Sequence, residues 1–199
     1  MPMPISRLKA YEKTQVDLAI EEFAKLKKPT AKDINRLRVV AEIQSDLDEY
    51  RFEAVRMSNK KLKEEKHLSR ILAGRMADAS DPKPADNCDC HAIVSGGHRL
   101  AAPIRGVMAW CLARIDDPRN GCWLPRSYED KNSMPKWLRK AVPHQGLHNP
   151  RYYQWLDFTI GINVDSIGGL DELIVALKEA RTRLQLGTLS KSAWPNRKV

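Results

Sequence analysis

Between Asp89 and His148 the chain sets out a histidine, an asparagine beside a glycine, and two histidines four residues apart. The stretch opens Asp89-Cys90-His91-Ala92-Ile93-Val94-Ser95-Gly96-Gly97 and passes through Asp116-Asp117-Pro118-Arg119-Asn120-Gly121-Cys122-Trp123-Leu124-Pro125. It closes His144-Gln145-Gly146-Leu147-His148, then Asn149-Pro150-Arg151-Tyr152-Tyr153. Two histidines on a four-residue step can face one metal, and three imidazoles can hold one divalent cation. On spacing alone His144 and His148 read as two loop histidines. Placed after His91 and Asn120, in that order, they read as a site.

The flanking signals give the local structure. His91 to Val94 is a short strand candidate cut by Gly96-Gly97, and Cys122 to Pro125 a second one leaving the tight-turn pair Asn120-Gly121. Residues 99–114 form a helix with Leu100, Ile104, Val107, Met108, Cys111 and Leu112 on one face. Ser133 caps a short helix reaching Ala141-Val142, and Asn149 caps another with Pro150 at its first position. A last helix spans 168–186 and stops at Gly187, before a tail at 191–199.

Upstream, residues 5–27 repeat apolar side chains at helical steps and end at Lys27-Lys28-Pro29. Thr30 caps a helix expected to run from Ala31 to Arg75, with Leu37, Val40, Leu47, Tyr50, Ala54 and Met57 in one stripe. Such a stripe needs a partner: helix 5–27 folded back as a hairpin, or a second copy of the chain. Residues 1–80 therefore read as a helical hairpin and 81–87, with Pro82 and Pro84, as a linker. Residues 88–190 are then a separate compact domain. The Lys60 to Lys66 charge run reads as a solvated helix face. The fold class is α+β, mostly helical.

The net charge of +9 is spread, with 17 Lys+Arg against 13 Asp+Glu in residues 1–80. It favours phosphate polyanions without specifying one. Residues 88–155 are richer, with 10 basic against 5 acidic side chains. Arg99, Arg105, Arg126, Lys136, Arg139, Lys140 and Arg151 are the candidate nucleic-acid contacts. Trp123 and Tyr153 read as core, although aromatics here can also stack on bases. No run of 18 apolar residues exists, so no membrane span is expected, and Met1-Pro2-Met3-Pro4 opens no signal peptide. Cys88, Cys90, Cys111 and Cys122 do not form a disulfide pattern and suit a reducing cytoplasm. Cys88-x-Cys90-His91 with Cys122 has the ligand types of a structural zinc, but its first step is too tight for the usual spacing.

The ordered combination resembles the AHH group of the HNH/endonuclease VII superfamily, mostly nuclease toxin domains at the ends of bacterial polymorphic toxins. That family's core runs Ala-His-His-Ile-Val, a helix, Asn-Gly-x-x-Leu-Pro, His-x-x-x-His and a Tyr-Tyr helix. The resemblance implies a compact ββα-metal domain and a metal-dependent endonuclease, cutting DNA in preference to RNA. It implies one divalent ion (Mg²⁺, Zn²⁺, Ni²⁺ or Mn²⁺) on His91, His144 and His148, with Asn120 orienting the site. It also implies a cognate immunity protein and delivery to a target cell's cytoplasm by a specialised secretion system. The N-terminal helices would then serve delivery, docking or self-association.

One position departs from the family. His91 matches the first histidine of the His-His pair, and the second, the general base, is Ala92. General-base catalysis is worth about 10²–10⁴-fold. Either His91 is itself the base with Asp89 or Cys90 as ligand, or His98 or water activated by the cation replaces the base. Otherwise the domain is a catalytically silent metal- or nucleic-acid-binding module.

Overall fold

The computed structural model describes residues 13–161, 169–189 and 193. The expected helix start at 5–12, residue 168 and, apart from Ala193, the tail at 191–199 lie outside the described residues.

Two helices open the described chain, α1 (Gln15–Ala24) and α2 (Ala31–Glu53), and both start the same way. Thr14 and Thr30 accept the N–H of Asp17 and Asp33, and each aspartate accepts the threonine N–H in return at 2.8 Å. These reciprocal caps satisfy backbone donors that a helix N-terminus otherwise leaves bare. Leu18, Ala19 and Phe23 of α1, Leu26 just beyond it, and Leu37 and Val40 of α2 line one shared groove.

The continuous helix expected over 31–75 does not form. After α2 come a 3-10 turn at Ala54–Arg56, an extended Met57, α3 (Asn59–Lys63) and α4 (Ser69–Asp78). Neither proline nor glycine makes this break. Ser58 takes extended backbone and its side chain accepts the Lys61 N–H, capping a new helix. Packing rewards the break, because Ala54 and Leu62 can then both bury against Ala109. The stripe read on α2 is buried only at its C-terminal end, at Leu47 and Tyr50.

Residues 81–87, expected as a linker, are tied down at Asp81. Its carbonyl accepts the Trp123 indole N–H at 2.9 Å and its carboxylate meets Arg181 at 2.6 Å. Helix α4, read as part of the upstream element, puts Leu72 and Met76 into the same core as the sheet. Packing therefore crosses the boundary drawn on composition.

The sheet is small. β1 (Cys88–Ala92) pairs antiparallel with β2 (Gly121–Pro125), His91 opposite Cys122 and Ala92 opposite Gly121. The ladder runs one bond further, from Ile93 N–H to the Asn120 carbonyl at 2.8 Å. Between the strands lies α5 (Ala102–Trp110), entered by a 3-10 turn at Arg99–Ala101. It stops short of the expected residue 114 because Leu112 turns left-handed, at φ 54°. The helix expected after Ser133 is replaced by a 3-10 turn at Glu129–Ser133 and further turns. Met134, preceding Pro135, is extended, as proline's ring demands of its neighbour.

Helix α6 (Pro150–Leu156) is capped by Asn149, whose side chain accepts the N–H groups of Arg151 and Tyr152, and it continues into a π turn at Asp157–Gly161. Helix α7 (Leu170–Leu186) covers β2 and ends at left-handed Gly187. The described residues are thus mostly helical around one two-stranded antiparallel sheet. Among the described residues no helix is long and apolar enough to cross a membrane.

Candidate metal centre

The centre is built where β1, the turn after β2 and the entrance to α6 converge. Side chains alternate along a strand, so Asp89 and His91 share one face of β1 and Cys88, Cys90 and Ala92 the other. The chain returns to the end of β2 at residue 144, with the His144 N–H donating to the Pro125 carbonyl at 2.8 Å. A left-handed Gly146 then turns the backbone so that Asn149 can start α6 immediately after His148. His91, His144 and His148 each offer a ring nitrogen, and these atoms lie within 4.8 Å of one another.

Each imidazole is oriented by a partner on its far side. The His91 Nε2 lies 2.9 Å from the Tyr152 hydroxyl, which donates to the Ile93 carbonyl at 2.9 Å. With its proton committed there, the phenol can only accept from His91, which fixes the proton on Nε2 and leaves Nδ1 a bare lone pair. His144 Nδ1 donates to the Asp89 carboxylate at 3.0 Å. His148 Nδ1 lies 2.7 Å from the Tyr153 hydroxyl. A carboxylate or hydroxyl behind the ring is the usual support of a metal-binding histidine.

Does this site fit a cation? His91 is buried, and its Nδ1 has no hydrogen-bond partner. A buried polar atom without a partner is costly, and it faces two further imidazoles whose ring centres are 5.1 Å away. Burial, and then the neighbouring His144, His148 and His67 rings, hold the His91 imidazole well below its ordinary pKa. Desolvation and the His144, His98 and His67 rings lower His148 to about 4, although its edge is open to solvent. Neutral imidazoles are the ligand form, so the donor set suits a borderline divalent ion.

The other site residues read from sequence fall elsewhere. Asn120 is fully buried and its amide is used within the frame. Its Oδ1 accepts the Val94 N–H at 2.8 Å, while Nδ2 donates to the carbonyls of Val94 and Ile115. It ties the chain leaving β1 to the loop entering β2. Arg105, expected on phosphate, instead donates to the carbonyls of Ser95, His98 and Lys63. Arg99, Arg126, Lys136, Arg139, Lys140 and Arg151 are exposed. Arg126 lies 3.3 Å from Asp89, and Arg139 donates to the Met134 carbonyl. The cysteines pack as apolar groups, Cys88 against Met134 and Cys90 against Met76, with burial raising the Cys90 thiol to about 12.

Sequence reasoning missed Tyr152 and Tyr153 as supports of the histidines. The signal was present, since a helix capped right after His148 puts its first turn beneath the ring. It also gave no place to His67, whose Nδ1 lies 2.5 Å from the Asp116 carboxylate.

A short antiparallel ribbon, a following helix and three imidazoles between them have the layout of a ββα-type site and could hold a metal ion. Residues 72–189 match the family model described as AHH, a nuclease family of the HNH/ENDO VII superfamily with conserved AHH. The match covers more than half of the chain, and the chain belongs to this family. Nucleases of that superfamily use a divalent metal and act on nucleic acid. No curated protein and no solved structure matches the chain. Where the family carries its two histidines this chain reads His91-Ala92, and Ala92 is buried on the face of β1 turned from the centre.

Proposed function

We propose that the protein is a metal-dependent endonuclease that cuts DNA in preference to RNA and acts as an antibacterial toxin. The observation that carries the reading is the bare, buried His91 Nδ1 aimed at His144 and His148. A bound divalent cation would polarise the scissile phosphate and steady the charge that develops on the leaving 3′ oxygen. His91, His144 and His148 hold it, while Tyr152, Asp89 and Tyr153 keep their rings turned inward. Asn120 fixes the loops that bear the site and contacts no substrate. Arg99, Arg126, Lys136, Lys140 and Arg151 meet the backbone of the nucleic acid, a contact that weakens as salt rises. A cognate immunity protein and self-association through α1 and α2 belong to the same reading.

The test is cleavage of supercoiled plasmid and of RNA with Mg²⁺, Mn²⁺, Ni²⁺ or Zn²⁺, with EDTA as control. Nicking that depends on metal and disappears in both His91→Ala and His148→Ala supports the reading. A protein that binds metal through these residues and cuts neither polymer leaves the silent binding module, which Ala92 favours.

A further inference from the structure

Ala92 cannot take a proton, and the structure offers two further histidines near the centre. His98 stacks on Tyr153 with ring centres 4.4 Å apart. Its Nδ1 accepts the Leu100 N–H at 3.2 Å, so the neutral ring carries its proton on Nε2. A base needs a nitrogen that can be freed for the reaction, and the acceptor nitrogen of His98 is held by a backbone N–H that caps the turn before α5, whereas a side-chain hydroxyl can rotate away.

His67 has the opposite arrangement. Its Nδ1 lies 2.5 Å from the Asp116 carboxylate, which is buried and also accepts the Leu68 N–H at 3.2 Å. The carboxylate demands a proton on Nδ1 and leaves Nε2 as the acceptor, where the Ser69 hydroxyl approaches at 3.2 Å. A carboxylate behind an imidazole fixes the tautomer and steadies the cation formed when the ring takes a proton.

Position supports the same residue. Gly96, on the loop leaving β1, has no space for a Cβ because the His67 Cβ stands against it. The neighbouring Ser95 meets the Tyr153 side chain, which in turn supports His148. Gly121, the cross-strand partner of Ala92, faces Leu72 and Met76 of α4, the helix that His67 precedes by two residues. The side of the ribbon from which the second family histidine is missing is thus the side that α4 covers.

Resting on the nuclease reading, we propose that His67, held by Asp116, is the general base that replaces the missing histidine at position 92. His67 Nε2 takes a proton from the attacking water as the water oxygen bonds to phosphorus. The bond from phosphorus to the 3′ oxygen breaks, its electron pair leaves with that oxygen, and the oxygen is protonated by solvent. The proton on His67 returns to solvent, so one water is consumed and a 5′-phosphate and a 3′-hydroxyl remain. His67 lies outside the matched residues 72–189, so the upstream chain would complete the active site.

The experiment compares the full chain with His67→Gln, His67→Ala and Asp116→Asn. It reads single-turnover plasmid nicking with Mn²⁺, Mn²⁺ affinity by calorimetry and the thermal midpoint. Glutamine still donates to Asp116 but cannot accept a proton. We expect both His67 variants to slow nicking by about 10²–10⁴-fold while Mn²⁺ affinity stays within about threefold of the parent. Added imidazole restores part of the rate to His67→Ala and none to His67→Gln. Long-range proton–nitrogen spectra of the metal-free parent, taken where the ring is neutral, are expected to place its proton on Nδ1, which decides the matter if the variants do not fold. Parental nicking by His67→Gln, or a proton on Nε2 of neutral His67, overturns the assignment and leaves the nuclease reading standing. A parent that binds metal and cuts nothing overturns both.

Discussion

The two nitrogens of the His91 ring have different fates, and the centre depends on the difference. Nε2 is committed to Tyr152 and Nδ1 is left bare in a buried place. Tyr152→Phe removes the acceptor for the Nε2 proton and a donor to the Ile93 carbonyl. It is expected to weaken metal binding by about 10–100-fold, as loss of such supporting groups does, and Asp89→Asn should do the same through His144. Calorimetric titration with Zn²⁺ or Mn²⁺ checks both, and unchanged affinity in Tyr152→Phe would remove its supporting role. Asn120→Ala acts on the frame instead. It strands the Val94 N–H and the carbonyls of Val94 and Ile115 in the interior, at a cost of about 2–4 kcal/mol in denaturant unfolding.

Among the elements, ends matter more than middles. The threonine caps of α1 and α2, the serine cap of α3 and the asparagine cap of α6 mark where each helix can begin. Thr30→Ala should lower stability by about 1 kcal/mol, read as a shift in the urea midpoint. Gly187 is more demanding. It sits at φ 65°, and a Cβ there would collide with the Lys140 carbonyl, next to the bond from Val142 N–H to the Leu184 carbonyl. Gly187→Ala is expected to cost about 1–3 kcal/mol and to loosen α7 from β2. Amide exchange over 180–187 would detect that loosening, and unchanged protection there would count against it.

At the scale of the whole molecule, the loop 114–120 clamps the upstream helices to the nuclease body. Arg114 reaches Glu65, Glu53 and the Tyr50 carbonyl, the Asp116 N–H meets the Tyr50 hydroxyl, and Arg51 pairs with Asp117 at 2.9 Å. Burial alone would raise the Asp117 carboxyl, but the hydrogen bonds and charges of Arg119 and Arg51 outweigh it and hold it at about 2. An unfolded aspartate titrates near 3.8, so the native state binds fewer protons between these values. The contribution, about 2 kcal/mol, is complete above roughly pH 4 and is lost as pH falls towards 2. Arg51→Ala moves the native Asp117 carboxyl back towards its unfolded value, so it should lower stability near neutral pH, flatten the loss below about pH 4 and begin to free α2. Acid unfolding followed by circular dichroism measures it, and an acid transition identical to the parent's would show that the clamp lies elsewhere.

The sequence by itself determined the order of the chemistry. His91, Asn120 and the His144/His148 pair, with Asn149-Pro150 starting a helix, are local signals, because caps, turns and four-residue steps depend on neighbouring backbone. It also exposed the gap at Ala92. What it could not supply was the break after α2 or the true extent of the packed body. α2 stops at Glu53 and Ser58 starts a new helix because Ala54 and Leu62 must both meet Ala109, about fifty residues away. Arg105 read as a phosphate ligand because charge is visible in sequence, whereas three carbonyls converging on it are not. His67 was silent for the same reason. Its partners Asp116 and Gly96 lie 49 and 29 residues away, and only the tertiary fold brings them to it.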